Sequence, residues 1–127
     1  MAPEELTARE RPGQAGEDYA CRYLSQRGYA VRARNFRCRS GEIDVVAERD
    51  GVVVFVEVKE RHGDGHGRGF ESVTRAKRLR VILAARLYAS RFGLTEARLR
   101  FDVISIDWRD GRAEVRHDEG AFDGSGG

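Results

Sequence analysis

Residues 41–59 read Gly41-Glu42-Ile43-Asp44-Val45-Val46-Ala47-Glu48-Arg49-Asp50-Gly51-Val52-Val53-Val54-Phe55-Val56-Glu57-Val58-Lys59. Asp-Gly between two β-branched runs is a strong signal for a two-residue hairpin turn, whose central positions need a left-handed backbone. Setting Arg49 opposite Val52 fixes the register: Val46 faces Phe55, Asp44 faces Glu57 and Glu42 faces Lys59. Side chains alternate along a strand, so these share one face, while Ile43, Val45, Val54, Val56 and Val58 share the other. Opposed side chains have Cβ atoms about 5 Å apart, and two carboxylates at that distance repel by roughly 3 kcal/mol at an effective dielectric near 20. A shared proton, a neighbouring cation or a divalent ion could relieve the pair. Lys59 is close, but one ammonium cannot neutralise Asp44, Glu57 and Glu42 together. Oxygen donors without fixed nitrogens suit Mg²⁺ or Mn²⁺. The alternative reading of the same spacing is a surface ladder of ion pairs.

Outward from this hairpin, Gln14 to Arg27 places Ala20, Cys21 and Leu24 at helical spacing before Gly28, and Glu17 continues their stripe. Tyr29, Val31 and Ala33 alternate with Arg32 and Arg34, which predicts a strand before the hairpin. The valine-rich run to Glu60 suits a central strand buried on both faces. The glycine-rich stretch 63–69 predicts a mobile loop. A second helix is expected from about Ser72 to Phe92, with Ala76, Leu79, Leu83 and Leu87 as its inner stripe and Gly93 closing it. A strand over Leu99 to Trp108 should then lie parallel to the third, as a crossover of this length allows. Asp110-Gly111 turns into a short edge strand, Arg112 to His117. The expected fold class is α/β: a mixed central sheet flanked by helices, in one domain spanning 14–117, with a disordered start (1–13) and a loose tail (118–127).

The length of 127 residues suits one domain with its own core. With 40% apolar and 35% charged residues, and no apolar run near the roughly 18 needed to span a bilayer, a membrane protein and a disordered chain are both excluded. Glu4, Glu5, Glu10 and Arg11 stand where a secretory signal would be apolar, so cytoplasmic residence is expected. Cys21 and Cys38 lack metal or redox spacing and read as reduced thiols. The net charge of +2 says little, but its placement says more. Arg22, Arg27, Arg32, Arg34, Arg37 and Arg39 lie between Asp18 and Glu42 with no acid, and Arg75 to Arg100 holds eight cations against Glu96. Together these could form one basic face for a phosphate backbone. Only Lys59 and Lys77 among the 23 cations are lysines, which marks both as positions where a compact ammonium is wanted.

Gly41-Glu42-Ile43-Asp44 followed by Glu57-Val58-Lys59 resembles the Asp…Glu-x-Lys signature of the restriction-endonuclease-like nuclease superfamily. With Gly16-Glu17, Arg34-Asn35-Phe36-Arg37, Val54 to Lys59, Lys77 and Arg100-Phe101-Asp102-Val103, the chain resembles the small bacterial YraN-like family over roughly residues 14 to 122. The resemblance implies a restriction-endonuclease-like core of order αβββαβ, shared with archaeal Holliday-junction resolvases, followed here by an extra strand. It implies that Asp44, Glu57, the Val58 carbonyl and the helical Glu17 hold Mg²⁺ or Mn²⁺, and that Lys59 orients the attacking water. Asp44, Glu57, Lys59 and Glu17 would then be the catalytic set. Lys77, Arg78, Arg34, Arg37 and Arg39 would contact nucleic acid, and the pairing of sites in junction-cutting relatives makes a homodimer one option. Lys59 is followed by Glu60-Arg61, where family members more often carry a threonine before the arginine.

The expected function is metal-dependent hydrolysis of phosphodiester bonds in nucleic acid, DNA first and branched DNA among its forms. The competing expectation is a non-catalytic module that binds nucleic acid or a partner on the same fold. His62 and His66 read as solvated loop residues, His117 has no assigned role, and Asp102 reads as half of a cross-strand salt bridge.

Overall fold

The computed structural model describes residues 14–62 and 73–124. The element order is α1 (Gln14–Gln26), β1 (Ala30–Cys38), β2 (Gly41–Arg49), β3 (Val52–His62), α2 (Arg75–Arg91), β4 (Arg98–Arg109) and β5 (Arg112–Phe122). The five strands form one sheet in the order β1-β2-β3-β4-β5. Only β3 and β4 run parallel; the other neighbours are antiparallel. The α/β architecture with a mixed sheet is thus the one expected. The disordered start expected at 1–13, the glycine-rich loop with His66, and residues 125–127 lie outside the described residues.

Asp50-Gly51 and Asp110-Gly111 both take the paired left-handed conformation of a tight hairpin, with φ of 53° and 80°, then 51° and 76°. Central β3 is apolar on both faces. Val54 and Val56 pack with Val45, Ala47, Ile104 and Ile106 beneath Ala20 and Leu24 of α1. Val53 and Phe55 pack with Val46 and Phe101 beneath Val81, Ile82, Ala85 and Tyr88 of α2. Phe55 stacks on Phe101 at 5.5 Å and meets Tyr88 edge-on at 6.0 Å, so the second core is aromatic at its centre.

The inner stripe of α2 differs from the one expected. Val81, Ile82, Ala84, Ala85, Tyr88 and Ala89 are buried, while Leu79, Leu83 and Leu87 remain 48%, 36% and 38% exposed and Ala76 also faces outward. The helix is apolar on two opposite sides, and steric fit chooses between them. Small residues at 84, 85 and 89 let its backbone approach the sheet, where a leucine stripe would hold it off. Gly41 marks how close the approach is: a Cβ there would lie 2.0 Å from the Arg80 carbonyl oxygen.

Three further differences concern the strands. β1 continues to Cys38, with a bulge between Val31 and Ala33 and Asn35 in the left-handed region at φ 55°. β5 continues to Phe122, so residues 118–122, expected in a loose tail, are strand. Ile43 belongs to the core under α2, not with Val45.

Since the obstacle at Gly41 is backbone, Gly41→Ala is expected to cost at least about 2 kcal/mol, at the upper part of the range for overpacking. Urea unfolding would measure this, with Ser40→Ala at the exposed neighbouring turn position as the near-neutral control.

Candidate functional site

The β2–β3 ladder runs in the expected register from Arg49 opposite Val52 to Val45 opposite Val56, and there the backbone pairing ends. One step further, the Val58 N–H donates to Asp44 Oδ2 at 2.8 Å. A side-chain carboxylate thus takes the amide that a β2 carbonyl would otherwise have received. Asp44 is held where the two strands part, and Glu57 lies beside it on β3.

The two carboxyls lie close enough to interact, and burial shifts both of them upward. Burial is the main cause that pushes Glu57 up to about 8, and the Asp44 charge adds to it. Burial also raises Asp44, although the Val58 N–H and the Lys77 charge oppose the shift. Lys77 Nζ lies 3.5 Å from Glu57 Oε2 and 3.7 Å from Glu42 Oε2. The cation expected to meet a phosphate therefore bridges two carboxylates, and Glu42 meets Lys77 where Lys59 was expected. Lys59 follows Glu57 by two residues on β3, half-buried, with Ser105 as its β4 register partner.

Glu17 does not join this pair. Its Oε1 accepts from Asn35 Nδ2 at 3.0 Å and lies 3.7 Å from Arg34 Nη2. Burial raises its pKa, and the charge of Asp44 contributes to the rise, so Glu17 senses the site electrostatically from α1. Among the described residues, no three His, Cys, Asp or Glu side chains are grouped closely enough to hold a metal ion. The expected three-acid convergence is absent from this arrangement because Asn35 and Arg34 draw Glu17 aside.

The basic residues divide in the same way. Arg34 Nη2 is 2.6 Å from Asp18 Oδ1, so this arginine neutralises the acids of α1. Arg37 and Arg39 are exposed, and Arg78 is half-buried with its Nε without a hydrogen-bond partner. The seating of Gly41 against Arg80 brings the β1–β2 turn, with Arg37 and Arg39 beside it, onto α2.

Two further acids stand apart from this pair, one of them the Asp102 expected in a cross-strand salt bridge, which it makes with His117. Glu60 accepts from Trp108 Nε1 at 2.6 Å and lies 3.1 Å from His62 Nε2. A Cβ at Gly16 would come within 2.7 Å of Glu60 Oε1, so this acid lies against the first turns of α1, and alternation along β3 directs it away from the face of Glu57 and Lys59. The second is Asp102, fully buried, which receives Arg100 Nε and Nη2 at 2.9 and 2.8 Å and the Gly120 N–H at 3.0 Å, with His117 Nε2 at 2.7 Å. Burial would raise its pKa, but the bonds from His117, Arg100 and Gly120 outweigh that and hold the carboxyl below its usual range. Arg100 continues to the Tyr29 hydroxyl at 2.6 Å, and His117 Nδ1 lies 3.2 Å from that of Tyr23.

The donor set at Asp44 and Glu57 is chemically suited to a hard divalent ion. Glu57 Oε1 is buried without a hydrogen-bond partner, and burial raises the pKa of both acids, a shift that a bound cation would oppose.

The fold and this pair define a small α/β protein with an acidic site at the open end of a β-hairpin. The chain belongs to UPF0102: the family model described as "Uncharacterised protein family UPF0102" matches residues 16–106. It is similar to a UPF0102 protein of Myxococcus xanthus, 49% identical over 115 residues and 91% of each chain. It is also similar to UPF0102 protein STH1475 of Symbiobacterium thermophilum, 46% identical over 113 residues, which cover 88% of this chain and 96% of the relative.

The raised pKa of Glu57 gives the site a pH signature. Glu57 keeps its proton to about pH 8 in the fold, whereas an unfolded glutamate loses it near 4.5. The native state therefore binds more protons across that window, and this group's contribution to stability falls as pH rises through it. In chelator, the melting temperature should drop between about pH 5 and pH 8, and Glu57→Gln should remove most of that drop. Thermal unfolding across a pH series would check both.

Proposed function

We propose that this protein hydrolyses phosphodiester bonds of nucleic acid, with DNA as the substrate first to be tested, in a metal-dependent reaction at Asp44, Glu57 and Lys59. The observation that carries the reading is the meeting of half-buried Asp44 with buried Glu57 at the point where β2 and β3 part, with Glu57 Oε1 unpartnered. The resemblance of Gly41 to Asp44 and Glu57 to Lys59 to the restriction-endonuclease-like nucleases agrees with it, as does the order of helices and strands.

Asp44, Glu57 and the Val58 carbonyl would hold Mg²⁺ or Mn²⁺, which supplies Lewis-acid stabilisation of phosphate charge and makes a neighbouring water more acidic. The Val58 N–H fixes one Asp44 oxygen, so the carboxylate is oriented before any ligand arrives. Lys59 orients the attacking water and stabilises negative charge gathering on the phosphate. Lys77 holds Glu57 and Glu42 by charge and keeps the acid pair from repelling itself apart. Arg37 and Arg39, beside α2, are the side chains best placed to bind the phosphate backbone.

A second reading has its own support. Glu17 is turned to Asn35 and Arg34, which leaves two carboxylates together and suits a module that binds nucleic acid or a partner without turnover.

Incubation with branched, single-stranded and duplex DNA in Mg²⁺ or Mn²⁺ separates the two. Cleavage is expected, with Asp44→Asn and Lys59→Ala each lowering the rate at least about a hundredfold. Salt-sensitive binding that persists in both variants, with no cleavage in either metal, would establish the binding module instead.

A further inference from the structure

The outward side of α2 carries exposed leucines between arginines. Leu79, Leu83 and Leu87 follow one another at single-turn spacing and form a ridge about 12 Å long on the side opposite the buried Val81, Ala85 and Tyr88. At 100° per residue, Arg75 and Arg86 flank the ridge on one side and Arg80 and Arg91 on the other, and all four are exposed. Beside it, between the helix and the ends of β4 and β5, lies a cavity of about 540 Å³ lined by Ile82, Ala85, Leu99, Phe101 and Phe122 as well as Arg86. Leu99 is itself 40% exposed there.

We infer that this face is a docking surface for a helical protein segment carrying an apolar stripe with acidic residues beside it. Charge decides the occupant. The helix holds Arg75, Lys77, Arg78, Arg80, Arg86 and Arg91 and no acid, so a second copy laid along it would set arginines against arginines. Nucleic acid would satisfy the arginines but leave three leucines against its polar backbone, with no aromatic residue among them for stacking. A membrane-surface helix needs a broad apolar face with aromatic anchors, and this ridge is a single residue wide between two rows of guanidinium groups. An acidic amphipathic helix meets both features: its apolar side chains interleave with the leucines, and its carboxylates reach the arginine forks. The surface is separate from the Asp44 and Glu57 pair, and the inference holds whether or not that pair is catalytic.

The test uses the full chain and two labelled helical peptides of about 21 residues with identical leucine spacing, one flanked by glutamates and the other by lysines. In fluorescence anisotropy the glutamate peptide should bind at least about tenfold more tightly. Leu83→Gln with Leu87→Gln should weaken it at least about tenfold, and Arg80→Glu with Arg86→Glu should turn the preference toward the lysine peptide. All four positions are exposed, so the leucine variant should melt with the parent; Arg86 Nη2 also donates to the Gly124 carbonyl at 3.0 Å, so the melting of the arginine variant is measured beside its binding. Equal affinity for the two peptides, or binding that survives the leucine changes, overturns the inference. So would a failure to bind either peptide while the same leucine changes abolish binding of phosphatidylserine vesicles, of duplex DNA, or of a second copy in sedimentation.

Discussion

A carboxylate placed where a main-chain carbonyl should be governs this molecule. Asp44 takes the Val58 N–H, ending the β2–β3 ladder and letting the strands part. The parting brings Glu57 alongside with too few donors for two charges, so burial raises its pKa and one of its oxygens stays unpartnered. The chain tolerates this arrangement because valines and Phe55 hold the same two strands rigidly on either side.

Asp102 shows the opposite solution to a similar break. It too receives a main-chain N–H, from Gly120, where the β4–β5 register shifts. There Arg100 supplies two further donors and His117 closes the set, so the charge is fully compensated and the pKa falls. One aspartate is saturated and serves the fold. The other stands beside Glu57, whose Oε1 has no donor, and an under-supplied carboxylate pair of this kind is the condition under which a cation is favoured.

The hairpin at 41–59 was legible because Asp50-Gly51 fixes its turn, and the turn fixes every pairing from Arg49 to Val45. The ladder's end was not, since it depends on a competition between Asp44 and a backbone oxygen for one amide. The buried side of α2 was misread because leucines at 79, 83 and 87 outweigh alanines on any hydrophobicity count, while the packing was decided by how near the helix must come at Gly41. Glu17 followed its stripe inward as expected, but its partner Asn35 sits in a left-handed turn of β1 that alternation does not reveal. His117 was left without a role, although the Asp110-Gly111 turn sets it opposite Ile104 and so diagonal to Asp102 on one face.

The two outermost strands share a property. β1 is interrupted by its bulge near Arg32 and by Asn35, and β5 by the shift near Gly120, itself at φ 61°. Neither border offers a long straight row of free amides and carbonyls to a passing chain. Interruptions of this kind are among the devices by which the edge of a sheet resists pairing with another copy.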